Sequence, residues 1–261
     1  MLRKRVIFTL IYNDGNFIQS RNFRHQKVGN IKWLENNYKF QKISYSLDEL
    51  IIINASKENK NTQDFSNCVS KLVEKVFIPV CAGGGITSMK DAEVLFNKGA
   101  DKIILNTALY SNPELVKSLS LKYGAQSIIA SIDYKKINNK YCVYINNGED
   151  NIELPLDEYI NHINKLNVGE IYLNSIDKDG TGFGYDLSPL SFIQNKITTP
   201  LIIAGGAGNS SHLIEGLSHE SVSAVATANL FNFVGDGLPK ARREMIALGV
   251  NLAKWEEYSK E

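Results

Sequence analysis

The chain has few cysteines, and they are not grouped as metal ligands. Cys68, Cys81 and Cys142 are the three cysteines among 261 residues, and their separations do not match the short spacings typical of zinc sites. We therefore expect no metal site and interpret the three thiols as packing residues in a reducing compartment.

Net charge and long apolar runs are also lacking. Lysines and arginines number 29 against 28 aspartates and glutamates, and they are scattered, so nucleic acid and anionic membranes are not expected as partners. No apolar stretch reaches the roughly 18 to 20 residues that span a bilayer. The basic start around Arg3 leads into a strand pattern rather than a signal peptide. These absences predict a cytoplasmic protein without membrane segments.

Length and pattern together predict an α/β fold, a single (β/α)8 barrel. The 261 residues, 43% of them hydrophobic, match the usual size of about 250 residues for this fold. Apolar β-rich runs alternate with amphipathic stretches, which is typical of parallel strands joined by helices. We expect one domain over residues 1–261, with helices beginning after Thr62, Ser88, Ser111-Asn112 and Ser188. The eight strands are expected near 6–10, 49–53, 79–82, 102–105, 127–133, 170–174, 200–204 and 224–228.

A glycine-rich strand end occurs twice. The two runs are residues 82–86 and 204–208, and Gly83 and Gly205 are 122 residues apart, close to half the chain. Each run joins a strand to a helix start, where glycine lets backbone N–H groups approach a phosphate closely. The repeat predicts a half-barrel duplication and two phosphate cradles, one at Gly84 and Gly85 and one at Gly205 and Gly206. Simple tight-turn chemistry is the alternative.

Polar residues at two further strand ends repeat with the same spacing. Asn106 and Thr107 end strand four, and Ala228 and Asn229 end strand eight. Because reacting groups of such barrels lie at the C-terminal strand ends, we predict that these residues complete two anion sites on one face. A ligand with a phosphate at each end would fit. The alternative is that Asn106, Thr107 and Asn229 cap the following helices.

Asp133 is the best single catalytic candidate. It follows an apolar strand at the end that favours chemistry, where a buried carboxyl group with a raised pKa can act as a general acid or base. A structural hydrogen bond to a loop is the alternative.

Three connections near the strand ends are candidate parts of the site. Residues 174–185 form a polar, glycine-rich loop that can close over a ligand, with Asp179, Gly180 and Thr181 as the expected contacts. Residues 13–24 are a candidate second lid, with a simple hairpin turn at Asp14-Gly15 as the alternative. Residues 134–145 have the pattern of a hairpin, to which we assign no role.

A resemblance to a known family is carried by residues 1–7, Asp14-Gly15, 82–86, 99–102, Asn106-Thr107, Ile132-Asp133, 175–181, 184–186 and 205–208. Over nearly its whole length the chain resembles the cyclase subunit family of imidazole glycerol phosphate synthase, HisF-like proteins. The resemblance implies a duplicated (β/α)8 barrel, a substrate that carries two phosphates, and ammonia supplied by a glutaminase (HisH-like) subunit docked at the N-terminal face. We expect no cofactor.

Several residues depart from the family pattern. The family's cyclase chemistry uses two aspartates, one matched by Asp133 and one at the end of strand one, where this chain has Ile11. Loss of one positioned proton-transfer group typically costs about 10²- to 10⁴-fold in rate. We therefore do not expect efficient imidazole ring formation. The other departures are Gln19 for a lysine, Asn174 for a threonine, Ala204 for a serine, and no aspartate at the end of strand two, which reads Ile53-Asn54.

The opposite end of the barrel keeps the family pattern. Arg5, Glu49, Lys102 and Glu170 open four strands and match the charged ring that surrounds the ammonia entrance in this family. Asp101 matches a residue of the glutaminase contact. The alternative is a purely structural salt-bridge cluster, because charges at a barrel mouth must pair or stay hydrated.

Three functions follow from this pattern. The leading one is ammonia supply for acetamidino-sugar formation in surface-polysaccharide biosynthesis, with a separate ATP-dependent amidotransferase activating the sugar, since that branch of the family also has an aliphatic residue at the strand-one position. The alternative is a histidine-pathway cyclase in which Asp14 or Asp179 replaces the missing aspartate. The third is a catalytically silent barrel that binds a phosphorylated ligand and activates the glutaminase.

Overall fold

A closed barrel of eight parallel strands forms the centre of the protein. The computed structural model describes residues 3–38, 43–56 and 62–254, so Met1 and Leu2, where the resemblance begins, lie outside the described residues. The barrel closes where the last strand pairs with the first. The predicted (β/α)8 fold and all eight predicted strands are confirmed. The barrel strands are β1 (Arg5–Asn13), β4 (Glu49–Asn54), β5 (Val80–Gly83), β6 (Lys102–Leu105), β7 (Ile128–Ile137), β10 (Glu170–Ser175), β11 (Leu201–Ala204) and β12 (Val222–Thr227).

Two antiparallel additions rise from the C-terminal ends of the barrel strands. β1 continues into β2 (Asn16–Arg21) and β3 (Arg24–Gly29), and β7 continues into β8 (Lys140–Ile145) and β9 (Asp150–Pro155). The predicted hairpin after strand five is confirmed. Its turn uses Asn138 and Asn139 with positive φ, a conformation that asparagine tolerates better than most residues.

Helices surround the barrel, and their starts follow the predicted capping chemistry in part. Ser88 accepts a hydrogen bond from the Asp91 N–H, and Asn112 accepts one from the Leu115 N–H. The helix start expected at Ser188 is wrong, because Asp186 accepts the Ser188 N–H in a turn and the helix begins after Pro189. The helices are α1 (Ile31–Asn37), α2 (Thr62–Val73), α3 (Met89–Asn97), α4 (Thr107–Ser111), α5 (Pro113–Tyr123), α6 (Leu156–Ile163), α7 (Leu190–Ile193), α8 (Ser210–Ser218) and α9 (Gly237–Ala247).

The core has two layers because successive strand side chains point to opposite faces. In β1, Val6, Phe8 and Leu10 pack outward against the helices, whereas Ile7 belongs to a smaller cluster inside the barrel. The inner cluster is built mainly from isoleucine and alanine and also holds the buried Cys81. No helix in the described ranges has the length and apolar character needed to cross a membrane.

A buried ion pair ties α9 to the N-terminal side of the barrel. The Arg242 guanidinium donates to both carboxylate oxygens of Asp48, at 3.0 and 2.9 Å, and to the Ser46 and Ala253 carbonyls. Asp48 also accepts the Val6 N–H at 2.8 Å. The Arg242 side chain is 5% exposed, so its removal leaves a carboxylate without its counterion in a dry environment.

We expect Arg242→Met to lower the free energy of unfolding by about 3–5 kcal/mol, because breaking a buried pair leaves an uncompensated charge. Urea denaturation measures this loss. The matched control is Lys122→Met, which removes the exposed pair with Glu93 and should leave the free energy of unfolding nearly unchanged, because water screens exposed pairs. Equal losses in the two variants would contradict a special role for the Arg242 pair.

Candidate functional site

A cavity of about 470 Å³ opens at the C-terminal ends of the barrel strands. Strand ends form its base, and the turns of the β2–β3 and β8–β9 hairpins form part of its rim. Most of the residues predicted to form the site line this cavity. Those that line it are Asp133, Asp179, Gly84, Gly85, Asn106, Thr107, Gly180, Gly205, Gly206, Ala228 and Asn229.

Thr181 is placed differently from the other predicted contacts. It is not among the residues that line the cavity. Its hydroxyl donates to the Lys178 carbonyl at 2.8 Å and accepts the Phe183 N–H at 3.3 Å. Thr181 therefore shapes its own loop.

Asp133 lies in the cavity wall, held by two carboxamides. Asn174 Nδ2 donates to Asp133 Oδ1 at 2.9 Å, and Asn106 Nδ2 donates to Asp133 Oδ2 at 3.2 Å. Burial raises the pKa of Asp133 to about 7, against the lowering effect of the Asn174 hydrogen bond and with a smaller raising contribution from Asp179. A carboxyl group with this pKa can exchange a proton near neutral pH.

The predicted helix capping by the polar residues that end strands four and eight is not seen in the structure. It is wrong for Asn106, whose side chain makes no cap and binds Asp133 and the Ser131 carbonyl instead. It is wrong for Asn229 too, because its Oδ1 accepts the N–H groups of Phe231 and Asn232 in a turn, and the next helix begins only at Gly237. The Thr107 hydroxyl accepts the Asn146 N–H from the β8–β9 turn at 3.2 Å.

Both glycine runs form tight turns that exclude a side chain. A Cβ atom on Gly84 would lie 2.1 Å from the Asn54 carbonyl oxygen, and one on Gly206 would lie 2.1 Å from the Gly184 carbonyl oxygen. Both glycines have positive φ, +99° and +111°. The tight turn required by the sequence repeat is therefore present in both halves.

Asp179 joins the loop after β10 to the β2–β3 hairpin. Its Oδ2 accepts the Ser20 hydroxyl and, at 3.1 Å, the Phe23 N–H. Burial raises the pKa of Asp179, while the hydrogen bonds from Ser20 and Phe23 lower it. The adjacent Gly180 packs so closely that a Cβ atom would lie 2.0 Å from the Ser20 carbonyl oxygen. Asp179 thus holds two rim segments together as well as facing the cavity.

The end of strand one contributes no acid to the cavity wall. Ile11 lines the cavity and pairs with Ile53 of β4 and Ile18 of β2. Asp14, in the β1–β2 turn, is not among the lining residues, and its N–H donates to the Ser56 hydroxyl. Asp133 and Asp179 are the carboxylates of the described wall.

The four charges at the N-terminal end of the barrel form a closed ring of ion pairs. Arg5 donates to Glu49 at 3.0 Å and to Glu170 at 2.7 Å. Lys102 donates to the same two carboxylates at 3.0 and 2.7 Å. Burial raises the pKa of Glu49 against the opposing effect of Lys102, and one of its oxygens, Oε1, has no hydrogen-bond partner among the described residues. Asp101, at this end too, accepts the Val80 N–H.

A polar pair lies between this ring and the cavity. The Tyr172 hydroxyl of β10 and the Thr9 hydroxyl of β1 are 3.1 Å apart, and both residues are buried. Because β10 and β1 are three strands apart in the barrel, the contact reaches across the interior. Both side chains also line the cavity, so they form its floor.

Sequence patterns missed several members of this site. Ser20 and Tyr172 lie within runs that predict only strand, and nothing in one sequence marks their tertiary partners. The position of Asn146 and Asn147 in a turn could have been predicted from the sequence. Asn-Asn-Gly after a β-rich run is typical of a hairpin turn, and both asparagines have positive φ.

The protein is a (β/α)8 barrel with an ion-pair ring at one end and a cavity with glycine turns at the other. Comparison with known sequences identifies its family. The sequence profile of the histidine biosynthesis protein family matches residues 5–235, and the chain belongs to that family.

Similar proteins cover nearly the whole chain. A protein of Parasynechococcus marenigrum (strain WH8102), provisionally named imidazole glycerol phosphate synthase subunit hisF2, is 44% identical over 98% of this chain and 95% of its own length. The imidazole glycerol phosphate synthase subunits HisF of Chlorobium phaeovibrioides (strain DSM 265 / 1930) and Prosthecochloris aestuarii (strain DSM 271 / SK 413) are 33% and 34% identical over 97% and 96% of this chain and 99% and 98% of their own lengths. The chain is therefore HisF-like.

The raised pKa of Asp133 predicts a specific dependence of stability on pH. Between about pH 4 and pH 7 the folded protein retains a proton that the unfolded chain has lost, so the Asp133 contribution should lower the free energy of unfolding as pH rises, by up to about 4 kcal/mol. Asp133→Asn lacks this titration. The stability of the variant relative to the parent should therefore increase across this window, as measured by denaturation at a series of pH values.

The control is Asp157→Asn. Hydrogen bonding to Lys196 lowers the pKa of Asp157, so its effect on stability should be constant above about pH 5 and change only in more acidic solution. A pH-independent difference between the Asp133 variant and the parent would rule out the raised pKa.

Proposed function

We propose that this chain is the barrel subunit of a glutamine amidotransferase complex. It receives ammonia from a glutaminase at its N-terminal face and passes it through the barrel interior to the cavity at the opposite end. The ion-pair ring of Arg5, Glu49, Lys102 and Glu170 is the observation that carries this proposal.

The ion-pair ring is suited to be an ammonia entrance because of the residues inside the barrel behind it. The interior contains Ile7, Ile51 and Ile104, which offer no competing charge to a neutral ammonia molecule. At the far side, the Tyr172 and Thr9 hydroxyls are the first polar groups of the cavity floor. If the ion-pair ring served only to stabilise the fold, polar groups at the far end of the interior would not be needed.

The surface around the ring supports a protein partner. Phe77, which precedes β5, is 55% exposed and packs on Tyr45, which precedes β4, with ring centroids 4.7 Å apart. Aromatic residues are enriched at protein interfaces, which have a polar rim. Asp101, on the same end of the barrel, has an exposed carboxylate that is tied to the backbone at one oxygen.

The cavity supports a phosphorylated ligand. The glycine turns at Gly84-Gly85 and Gly205-Gly206 place backbone close to the cavity, and both line it. Such turns can bind phosphate oxygens through N–H groups without a cationic side chain.

Two acceptors for the ammonia have support from different observations. The names of the relatives, subunits of imidazole glycerol phosphate synthase, favour imidazole ring formation, as does the Asp133 pKa near neutrality. Ile11 favours an acceptor outside this barrel, such as an acetamidino sugar activated by a separate ATP-dependent amidotransferase, because the wall has no acid at the end of β1.

Turnover with ammonium salt separates these acceptors without any partner. The substrate is the bisphosphate ribonucleotide of the cyclase family, and the comparison is between the parent protein and Ile11→Asp. If the acceptor lies outside the barrel, the parent should be inactive, and Ile11→Asp should gain activity because a second acid then faces Asp133. One positioned group is worth about 10²- to 10⁴-fold.

Clear turnover by the parent would establish ring formation and exclude the acetamidino assignment. Asp133→Asn serves as the control in that case, since it should abolish the turnover. Binding of the substrate without turnover in either protein would favour the silent activator.

A further inference from the structure

Between the ion-pair ring and the cavity, the barrel interior contains a layer of side chains with almost no hydrogen-bonding capacity. On β1 and β4, these side chains are the next inward-facing ones after Arg5 and Glu49. They belong to the inner cluster, have no exposed surface and do not line the cavity. The described members of this layer are Ile7, Ile51, Cys81, Ile129, Ile202 and Ala224. Apart from the weak thiol donor of Cys81, they offer a small polar molecule no partner.

Hydroxyl groups begin where this apolar layer ends. The Thr9 and Tyr172 oxygens are 3.1 Å apart at the cavity floor, and the two residues are 1% and 4% exposed. Ser131 of β7 pairs with Tyr172 in the register of the two strands and also lines the cavity. Asp133 follows two residues along β7, on the same face. The hydroxyl cluster of Thr9, Ser131 and Tyr172 therefore lies between the apolar layer and the Asp133 carboxyl group.

The hydroxyl cluster has more protons to donate than its own bonds use. Each hydroxyl donates one proton and can also accept. The contact between Thr9 and Tyr172 uses one proton, and within the described ranges neither hydroxyl has a second partner, while the Ser131 hydroxyl has none. Burial raises the pKa of Tyr172 against the lowering effect of the Thr9 hydrogen bond, so the phenol keeps its proton. Two O–H groups are left to donate to a bound molecule.

Neutral ammonia has the hydrogen-bonding groups that this cluster lacks. Its lone pair accepts one O–H group, and its three N–H groups donate to hydroxyl oxygens. The ammonium ion has no lone pair, so it cannot accept from the free O–H groups, and its charge makes passage through the apolar layer costly. Water also donates and accepts, so ammonia reaches this position in competition with solvent. Among the two forms of ammonia, the cluster and the layer below it favour the neutral one.

We propose that Thr9, Ser131 and Tyr172 bind one neutral ammonia molecule at the point where the barrel interior meets the cavity. The inference rests on the proposed passage of ammonia through the barrel. The Tyr172 hydroxyl donates to the ammonia nitrogen in exchange for its contact with Thr9, and the N–H groups donate to the Thr9 and Ser131 oxygens. Ammonia that leaves this site enters the cavity on the side of Asp133.

The test is a nuclear magnetic resonance titration of the purified chain with ammonium chloride. The Thr9 methyl group and the Tyr172 ring are the reporters. Titrations at neutral and at alkaline pH contain the same total ammonium but different amounts of neutral ammonia, and sodium chloride at each pH is the salt control. We expect saturable shifts of both reporters that follow the concentration of neutral ammonia and do not occur with sodium chloride.

Matched variants locate the site. Tyr172→Phe keeps the ring and removes the donor, so ammonia binding read at the Thr9 methyl group should be about tenfold weaker. Ser131→Ala should weaken it severalfold. The control is Tyr159→Phe, the same change at a buried tyrosine of the outer core whose hydroxyl has no partner among the described residues, and it should leave the affinity unchanged. Thermal melting checks that the variants fold.

Shifts that follow total ammonium instead of neutral ammonia would overturn the inference. So would equal affinity in Tyr172→Phe and the parent, or the absence of a saturable shift. The titration uses the chain alone, so its result is independent of any glutaminase. A glutaminase that fails to respond to the chain would contradict the proposed function without changing these shifts, whereas missing ammonia binding beside a stimulated glutaminase would overturn this inference alone.

Discussion

The alternation of side chains along the barrel strands is the constraint on which this structure depends. In β1 it directs Arg5, Ile7, Thr9 and Ile11 to the barrel axis and the intervening residues to the helices. The same strand therefore supplies the charged ring, the apolar interior, the cavity floor and the cavity wall in that order. A shift of one residue in register would exchange these groups with the outer core.

The two ends of the axis differ in how tightly their charges are compensated. At the N-terminal end, two cations and two carboxylates pair in a closed ring, which limits the cost of burying them. At the C-terminal end, Asp133 has only neutral donors, Asn106 and Asn174, and its pKa is raised to about 7. The first arrangement stabilises fixed charge, and the second keeps a proton exchangeable.

Features with a local signal were predictable from the sequence, and features made by tertiary contacts were not. The eight strands and the glycine turns follow from apolar runs and repeated glycines, and Ser88 follows from capping chemistry. The sequence could not show that Asn106 binds Asp133 instead of capping its helix, because that choice depends on a neighbouring strand. The link from Asp179 to Ser20 spans 159 residues and has no local mark.

The measurement that tests the central claim most directly is glutamine hydrolysis by a HisH-like glutaminase, with and without this chain. If the chain receives ammonia at the ion-pair ring, it should form a one-to-one complex with the glutaminase and raise the rate of hydrolysis severalfold. Asp101→Lys, at the same end of the barrel, should weaken both effects, and Ile11→Asp, at the other end, should change neither. A glutaminase that neither binds the chain nor changes its rate would contradict the account.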